Sequence, residues 1–172
     1  MKIAYKARVS IAIQVSCLLL MLIAQSGVSK SNEFITLCYH DIPTKPTTDS
    51  YSVDLRSFIE QIEYLRTHGH HFISTDDVFA ANMNKRPLPD NAVLLTFDDA
   101  YVSFYSNVVP VLELYNYPAL LAVCSSWEDK GPTKAMPAPL MTWQQIKETA
   151  ANRLVTIASH SHVLHKAVRY NP

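Results

Sequence analysis

Two groups of ionisable side chains follow apolar segments that are typical of buried strands. Asp98 and Asp99 come directly after the apolar run 92–97. Three histidines follow the apolar run 154–159, and they are His160, His162 and His165. A short apolar run without polar alternation predicts a strand buried on both faces of a parallel sheet, and α/β folds place their sites at the carboxyl ends of such strands. Carboxylates are costly to bury there unless a cation or hydrogen bonds compensate, so the pattern predicts a site.

The residue types in the two groups indicate metal-assisted hydrolysis. One aspartate oxygen with two imidazole nitrogens is a ligand set for Zn, Fe, Ni or Co. Three protein ligands leave positions open for water and substrate, and a divalent ion makes water acidic and polarises a carbonyl. A second carboxylate can then accept the proton of the water. Asp98 and Asp99 suit this division of roles because neighbouring side chains point in different directions.

Each group also has a structural interpretation. An aspartate pair after a strand is often a helix cap or a turn, and the histidines at 160–165 could belong to a solvated loop. His40 and Asp41 lie at the tail of the first predicted strand and are a further candidate site. The three histidines within residues 68–71 lie between a helix end and a strand start, and we interpret them as structural.

The elements that must position these side chains alternate between strand and helix. Strands are predicted at 34–39, 71–75, 92–97, 118–124 and 154–159. Helices are predicted at 55–67, 76–84, 106–116 and 142–152, with Asp54 and two capping boxes, Ser74 with Asp77 and Thr142 with Gln145, at their starts. This order predicts an α/β fold with a parallel sheet or barrel, and right-handed crossovers bring all strand tails to the same rim.

Length, charge and the first residues restrict the class of protein. The 172 residues suggest one domain, and 15 basic against 15 acidic residues give no argument for a nucleic-acid partner. Three basic residues precede the uncharged apolar stretch 9–24, and small residues follow it. This predicts a secretory signal peptide at residues 1–26, with an uncleaved anchor as the alternative. Export permits a disulfide, but Cys38 and Cys124 lie in apolar runs and are predicted to be buried free thiols.

Several segments together resemble a known family. TFDD at 96–99 and SHSHVLH at 159–165 resemble the first two motifs of the polysaccharide deacetylase (NodB-homology) family. The segments CYHDI at 38–42, RPLPDNAVLLTFDD at 86–99 and MTWQQI at 141–146 are similar, more narrowly, to members that act on poly-N-acetylglucosamine, a biofilm exopolysaccharide. The resemblance extends over residues 34–165.

The resemblance implies a distorted (β/α) barrel and a metal-dependent hydrolase that removes N-acetyl groups and releases acetate. By position, Asp98 would be the general base. The ligands of a divalent transition metal (Zn, Ni, Co or Fe) would be Asp99, His160 and His165. His40 and Asp41 would line the substrate groove, and His162 would support the ligands or replace one of them. The resemblance also implies export to the periplasm or outer membrane, a polysaccharide partner and contact with other exopolysaccharide export components.

The sequence departs from the family pattern in two places. The usual glycine after TFDD is Ala100 here, so we expect a slightly altered turn, because glycine permits backbone angles that alanine resists. Family members also continue after the histidine motif with an arginine motif and a Leu-x-x-His motif, which this sequence lacks. We therefore expect residues 33–172 to be the N-terminal portion of a deacetylase domain, with an incomplete barrel. The alternative function is a catalytically inactive remnant that at most binds metal or glycan.

Overall fold

The computed structural model describes residues 32–126 and 138–162, in which five parallel strands form a single sheet. The strands are β1 (Phe34–Tyr39), β2 (His71–Phe72), β3 (Ala92–Asp98), β4 (Ala119–Cys124) and β5 (Val155–Ser161). The sheet order is β1-β3-β4-β5, and β2 pairs with the amino end of β3. The predicted α/β class with a parallel sheet is confirmed. The predicted signal peptide lies outside the described residues.

The central strand is β3, because it pairs on both sides and is apolar on both faces. It pairs with β1 from Phe34 opposite Ala92 to Tyr39 opposite Phe97. On its other side it pairs with β4 along its carboxyl half, up to Asp98. β2 is shorter than the predicted 71–75, because the chain leaves the sheet to begin a helix.

Within residues 32–126 and 138–162, four α-helices accompany the strands, and three of them begin after the predicted caps. They are α1 (Leu55–Thr67), α2 (Thr75–Asn82), α3 (Val109–Tyr115) and α4 (Trp143–Ala150). Asp54 accepts a hydrogen bond from the backbone N–H of Ser57, and both predicted capping boxes form. No helix in the described ranges has the length and apolar character needed to cross a membrane.

The helix after β3 begins earlier than the predicted residue 106. A π-helix at Phe104–Val108 leads directly into α3, so Pro110 does not lie in the first turn of the helical segment. Proline has no N–H for the i−4 carbonyl, and a wider turn before it accommodates that loss. At Val109 the backbone N–H accordingly bonds to the carbonyl of Phe104, five residues earlier. The prediction of the helix start was therefore wrong for a local reason.

The helix α1 and the π-helix cover one face of the sheet with an aromatic core. Phe97 of β3 is fully buried, and its ring lies 5.4 Å from Tyr39, 5.8 Å from Phe58 and 4.8 Å from Phe104. Each offset or edge contact adds about 0.5–1.5 kcal/mol beyond the apolar area that it buries. This core fixes β1, β3, α1 and the π-helix relative to one another, and it thereby fixes the positions of their ends.

Candidate functional site

Two predicted site aspartates and one predicted histidine meet at the carboxyl rim of the sheet. Asp98 is the last residue of β3, Asp99 follows it, and His160 lies near the end of β5. His160 Nε2 is 3.7 Å from Asp99 Oδ1 and 3.9 Å from Asp98 Oδ2. The side chain of Asp99 is 6% exposed, whereas those of Asp98 and His160 are 20% and 31% exposed. Parallel pairing through β4 therefore brings together residues that are about sixty positions apart in the chain.

Both carboxylates reach the same imidazole because the backbone turns sharply after β3. Consecutive residues of a regular strand point to opposite faces, which would separate Asp98 from Asp99. Asp99 and Ala100 instead adopt left-handed conformations, with φ of 73° and 54°. Such angles cost an L-residue about 1–2 kcal/mol and are found where function requires them. Ala100 thus adopts a backbone angle that favours glycine, and its side chain is fully buried.

A β-bulge surrounds His160. Val123 of β4 lies opposite Ser159, but the next residue, Cys124, lies opposite Ser161. Three residues of β5 therefore oppose two of β4, a device that re-aims side chains beside active sites. The strand prediction ended at residue 159, and the structure continues β5 through Ser161, so His160 lies within the strand.

A second group of donors lies on the β1 side of Asp98. One donor atom from each of Cys38, His40 and Asp98 lies within 4.8 Å of the other two. The Cys38 thiol donates a hydrogen bond to Asp98 Oδ2 over 3.4 Å. Partial burial, and next the charge of Asp98, raises the pKa of the Cys38 thiol. The prediction of a buried Cys38 was wrong: the residue is exposed, because β1 pairs only with β3 in the described chain. Cys124 is buried as predicted. Both cysteines are free thiols.

Sequence reasoning missed Cys38 as a site residue, although a signal was present. Cys38 precedes His40 by two positions in a predicted strand, and residues two apart share one face. The apolar character of residues 34–39 favoured burial instead. Only the pairing of β1 with β3 places Cys38 opposite Thr96, two residues before Asp98.

Asp41 lies beneath the rim and is held by serines. It is 5% exposed, and its carboxylate accepts hydrogen bonds from Ser103 Oγ at 2.6 Å and Ser52 Oγ at 3.1 Å. Ser103 Oγ in turn accepts a hydrogen bond from the backbone N–H of Ile42. Asp41 thus joins the loop after β1 to the helical segment after β3. Burial, followed by the charges of Asp99 and Asp41, raises the pKa of the neighbouring Tyr101 to about 12.

The other histidines make local contacts. Nδ1 of His162 lies 2.9 Å from Ser125 Oγ, which links the ends of β5 and β4. His165, predicted as a metal ligand, lies outside the described residues. Nδ1 of each of the remaining three histidines lies within 3.2 Å of a backbone carbonyl oxygen, consistent with their structural interpretation; these are His68, His70 and His71.

The donor set at the rim fits a divalent transition metal. Ligand atoms at about 2.0–2.2 Å from one tetrahedral or octahedral ion lie about 3.0–3.6 Å apart. The 3.7 Å between Asp99 Oδ1 and His160 Nε2 requires only a slight approach. A buried carboxylate facing an imidazole also gains from a cation between them, because the cation offsets the cost of desolvation. Asp98 remains at the edge of this pair, where it can face solvent.

The sequence of this chain is similar to those of known polysaccharide deacetylases. A family model described as polysaccharide deacetylase matches residues 85–172, and the chain belongs to that family. A poly-beta-1,6-N-acetyl-D-glucosamine N-deacetylase of Escherichia coli (strain K12) is 34% identical over 149 residues, which cover 81% of this chain and 22% of that protein.

Two solved structures share the fold of this chain. A de-N-acetylase from Aggregatibacter actinomycetemcomitans is 32% identical with a TM-score of 0.72. The BpsB deacetylase domain from Bordetella bronchiseptica is 36% identical with a TM-score of 0.65. In each case the match covers 81% of this chain and 58% of the other. The chain therefore spans less than two thirds of the length of these relatives.

Proposed function

We propose that this chain is a metal-dependent hydrolase that removes N-acetyl groups from a poly-N-acetylglucosamine exopolysaccharide. The observation that carries the proposal is the convergence of Asp98, Asp99 and His160 at the strand tails of a polysaccharide deacetylase fold. The substrate class is supported by relatives that are poly-beta-1,6-N-acetyl-D-glucosamine N-deacetylases. Residues 33–172 would form part of a deacetylase domain, since the matched deacetylase structures extend beyond the aligned region.

We assign the roles of the residues from their positions in the structure and from the resemblance to the family. Asp99 and His160 would hold a divalent transition metal (Zn, Ni, Co or Fe), with His165 as a third ligand. The ion would supply positive charge that polarises the acetamide carbonyl and makes water a better nucleophile. Asp98, which is more exposed than Asp99, would accept the proton of the attacking water. His40, within reach of Asp98, and Asp41 would border the substrate groove, and the products would be acetate and a free amine.

The cellular setting is proposed from the amino terminus and the relatives. The basic and then apolar character of residues 1–26 supports export. A substrate in the biofilm matrix would place the protein in the periplasm or at the outer membrane, beside other components of exopolysaccharide export.

His162, bonded to Ser125, would steady the end of β5 rather than contact the ion.

A catalytically inactive remnant is the second candidate. Such a remnant would keep the metal-binding side chains and at most bind metal or glycan. The ligand residues do not separate the two candidates, because both retain them.

Acetate release from an N-acetylglucosamine polymer tests the proposal. The purified chain is assayed with Zn²⁺, Ni²⁺ or Co²⁺ and after chelation, beside the Asp98→Asn variant. We expect metal-dependent release that falls at least about 100-fold in this variant, as for loss of a general base. Asp90→Asn is the matched control, because Asp90 precedes the opposite end of β3 and its variant should retain release. No release from a folded, metal-loaded chain would overturn the proposal and favour the remnant.

A further inference from the structure

Cys38, His40 and Asp98 form a donor cluster that the proposed hydrolysis does not use as a unit. Their donor atoms lie within 4.8 Å of one another, and Cys38 Sγ is 3.4 Å from Asp98 Oδ2. Cys38 is exposed, and His40 and Asp98 are half-buried, so an ion can reach them from solvent. Asp98 belongs to this cluster and also lies 3.9 Å from His160. Asp99 and His160 are not members of the cluster.

The pairing of β1 with β3 creates this cluster. Cys38 lies opposite Thr96 and Tyr39 opposite Phe97, so the position after β1 lies beside the carboxyl end of β3. Alternation places Cys38, Thr96 and Asp98 on the face of the sheet opposite to that of Phe97. The cluster therefore depends on the register of two core strands, which the aromatic packing of Phe97 against Tyr39 holds in place.

We propose that Cys38, His40 and Asp98 form a second cation site, selective for thiophilic divalent metals such as Zn²⁺, Cd²⁺ or Co²⁺, whose occupation inhibits the enzyme. A thiolate, an imidazole and a carboxylate are a ligand set that Zn²⁺ prefers over Mg²⁺ or Ca²⁺. An ion bound there takes the carboxylate of Asp98 as a ligand, and Asp98 can then no longer accept a proton from water. The inhibitory effect rests on the proposed function, whereas binding of the ion does not.

The chemistry of binding balances with a single proton. The ion forms one bond to Cys38 sulfur, the thiol proton passes to solvent, and the ionised carboxylate and neutral imidazole contribute lone pairs. Zinc–sulfur and zinc–oxygen bonds of about 2.3 Å and 2.1 Å place the two ligand atoms about 3.6 Å apart. The observed 3.4 Å between Cys38 Sγ and Asp98 Oδ2 already matches this spacing. The imidazole of His40 lies within 4.8 Å of both atoms, so it needs to approach by at most about 1 Å, which a small side-chain rotation supplies.

Cobalt absorption tests the site without reference to activity. The purified chain is titrated with Co²⁺, and a thiolate-to-cobalt charge-transfer band in the near ultraviolet reports sulfur ligation. We expect this band in the wild type and in Cys124→Ser, whose cysteine is buried at the end of β4, but not in Cys38→Ser. His40→Gln should weaken it. A folded wild type without the band, or a band that persists in Cys38→Ser, overturns the proposal.

Zinc inhibition tests the consequence. Acetate release is compared within each variant at one equivalent and at a large excess of Zn²⁺. We expect excess zinc to lower release at least about tenfold in the wild type and less than about twofold in Cys38→Ser. Equal inhibition in both would contradict the inhibitory role. If the chain releases no acetate at all, the proposed function fails, and the cobalt band still decides whether the second site exists.

Discussion

Phe97 and Asp98 are neighbours in β3, yet their side chains belong to two different regions of the molecule. The face that carries Phe97 is filled by aromatic and aliphatic side chains from α1 and the π-helix. The opposite face carries Cys38, Thr96 and Asp98 in its carboxyl half, and these are only partly buried or exposed. In its carboxyl half, β3 therefore contributes to the core with one set of alternate residues and to the site with the other.

The two faces of the sheet separate stability from chemistry. Burial of the Phe97 face supplies the apolar contacts that hold the strands in register. The site face brings polar groups from β1, β3 and β5 within a few ångströms of one another. Substitutions on the first face should lower the free energy of unfolding, and those on the second should change binding and catalysis.

The largest expected effect on stability is at Phe97. Phe97→Ala removes three ring contacts from a fully buried position and should lower the free energy of unfolding by about 3–5 kcal/mol. Thr96→Ala, one residue away on the site face, loses a hydrogen bond to the carbonyl of Leu37 and should cost about 0.5–1.5 kcal/mol. Urea denaturation measures both. Equal losses would show that the two faces do not differ in this way.

Asp41 tests the difference between the two faces, because the family resemblance places it in the substrate groove and the structure gives it buried hydrogen bonds. Its carboxylate accepts two serine hydrogen bonds in a buried position, so Asp41→Ala should cost about 1.5–3 kcal/mol. Asp49→Ala, which loses one bond from Ser52 nearer the surface, is the control and should cost less. Urea denaturation again provides the measurement. A variant that keeps its full stability would contradict this structural role, whatever its effect on polysaccharide binding.

Tyr101 lies where the two regions meet, and it predicts a dependence of stability on pH. Burial beside Asp99 and Asp41 raises its pKa to about 12, whereas a tyrosine in an unfolded chain ionises near pH 10. Between these values the unfolded state loses the proton first, so stability falls as the pH rises from about 10 to 12. Tyr101→Phe should make this fall shallower, and Tyr51→Phe, at an exposed position, should not. Denaturation at several pH values measures this dependence. An identical fall of stability with pH in the wild type and in Tyr101→Phe would contradict the prediction.

The smallest expected effect is at the turn that joins the two regions. Ala100→Gly relieves a left-handed alanine but removes a buried methyl group and increases the entropy of the unfolded chain. These contributions nearly cancel, so the free energy of unfolding should change by less than about 1 kcal/mol in either direction. Thermal unfolding checks this. A loss of stability well above that figure would mean that the packing of the methyl group contributes more free energy than the strained turn costs.

The fold was predictable from local patterns, and its exceptions are features that those patterns do not distinguish. Apolar runs, caps and the alternation of strand and helix predicted the parallel sheet and the capping boxes at Ser74 and Thr142. The π-helix before Pro110 was missed, because proline in a first turn and proline after a wider turn have the same sequence pattern. The exposure of Cys38 was missed, because it depends on which neighbours β1 pairs with.

The site was predictable in its residue types but not in its geometry. The positions of Asp98, Asp99 and His160 at strand tails identified them as site residues. Two structural features that bring them together, one of backbone conformation and one of strand pairing, were not predicted. These are the left-handed angle of Asp99 and the bulge around His160. Neither has a glycine or proline signal in the sequence. The assignments of base, ligands and groove residues stay predictions.

The central claim is that Asp99 and His160, from two different strands, hold one divalent ion. The most direct measurement is a double-mutant cycle of Zn²⁺ affinity by titration calorimetry with the wild type, Asp99→Asn, His160→Ala and the double variant. The account predicts that each single variant weakens binding of the first equivalent at least about tenfold, and that the double variant loses much less than the sum, because both act on one ion. Unchanged affinity in either single variant, or losses that simply add, would contradict it.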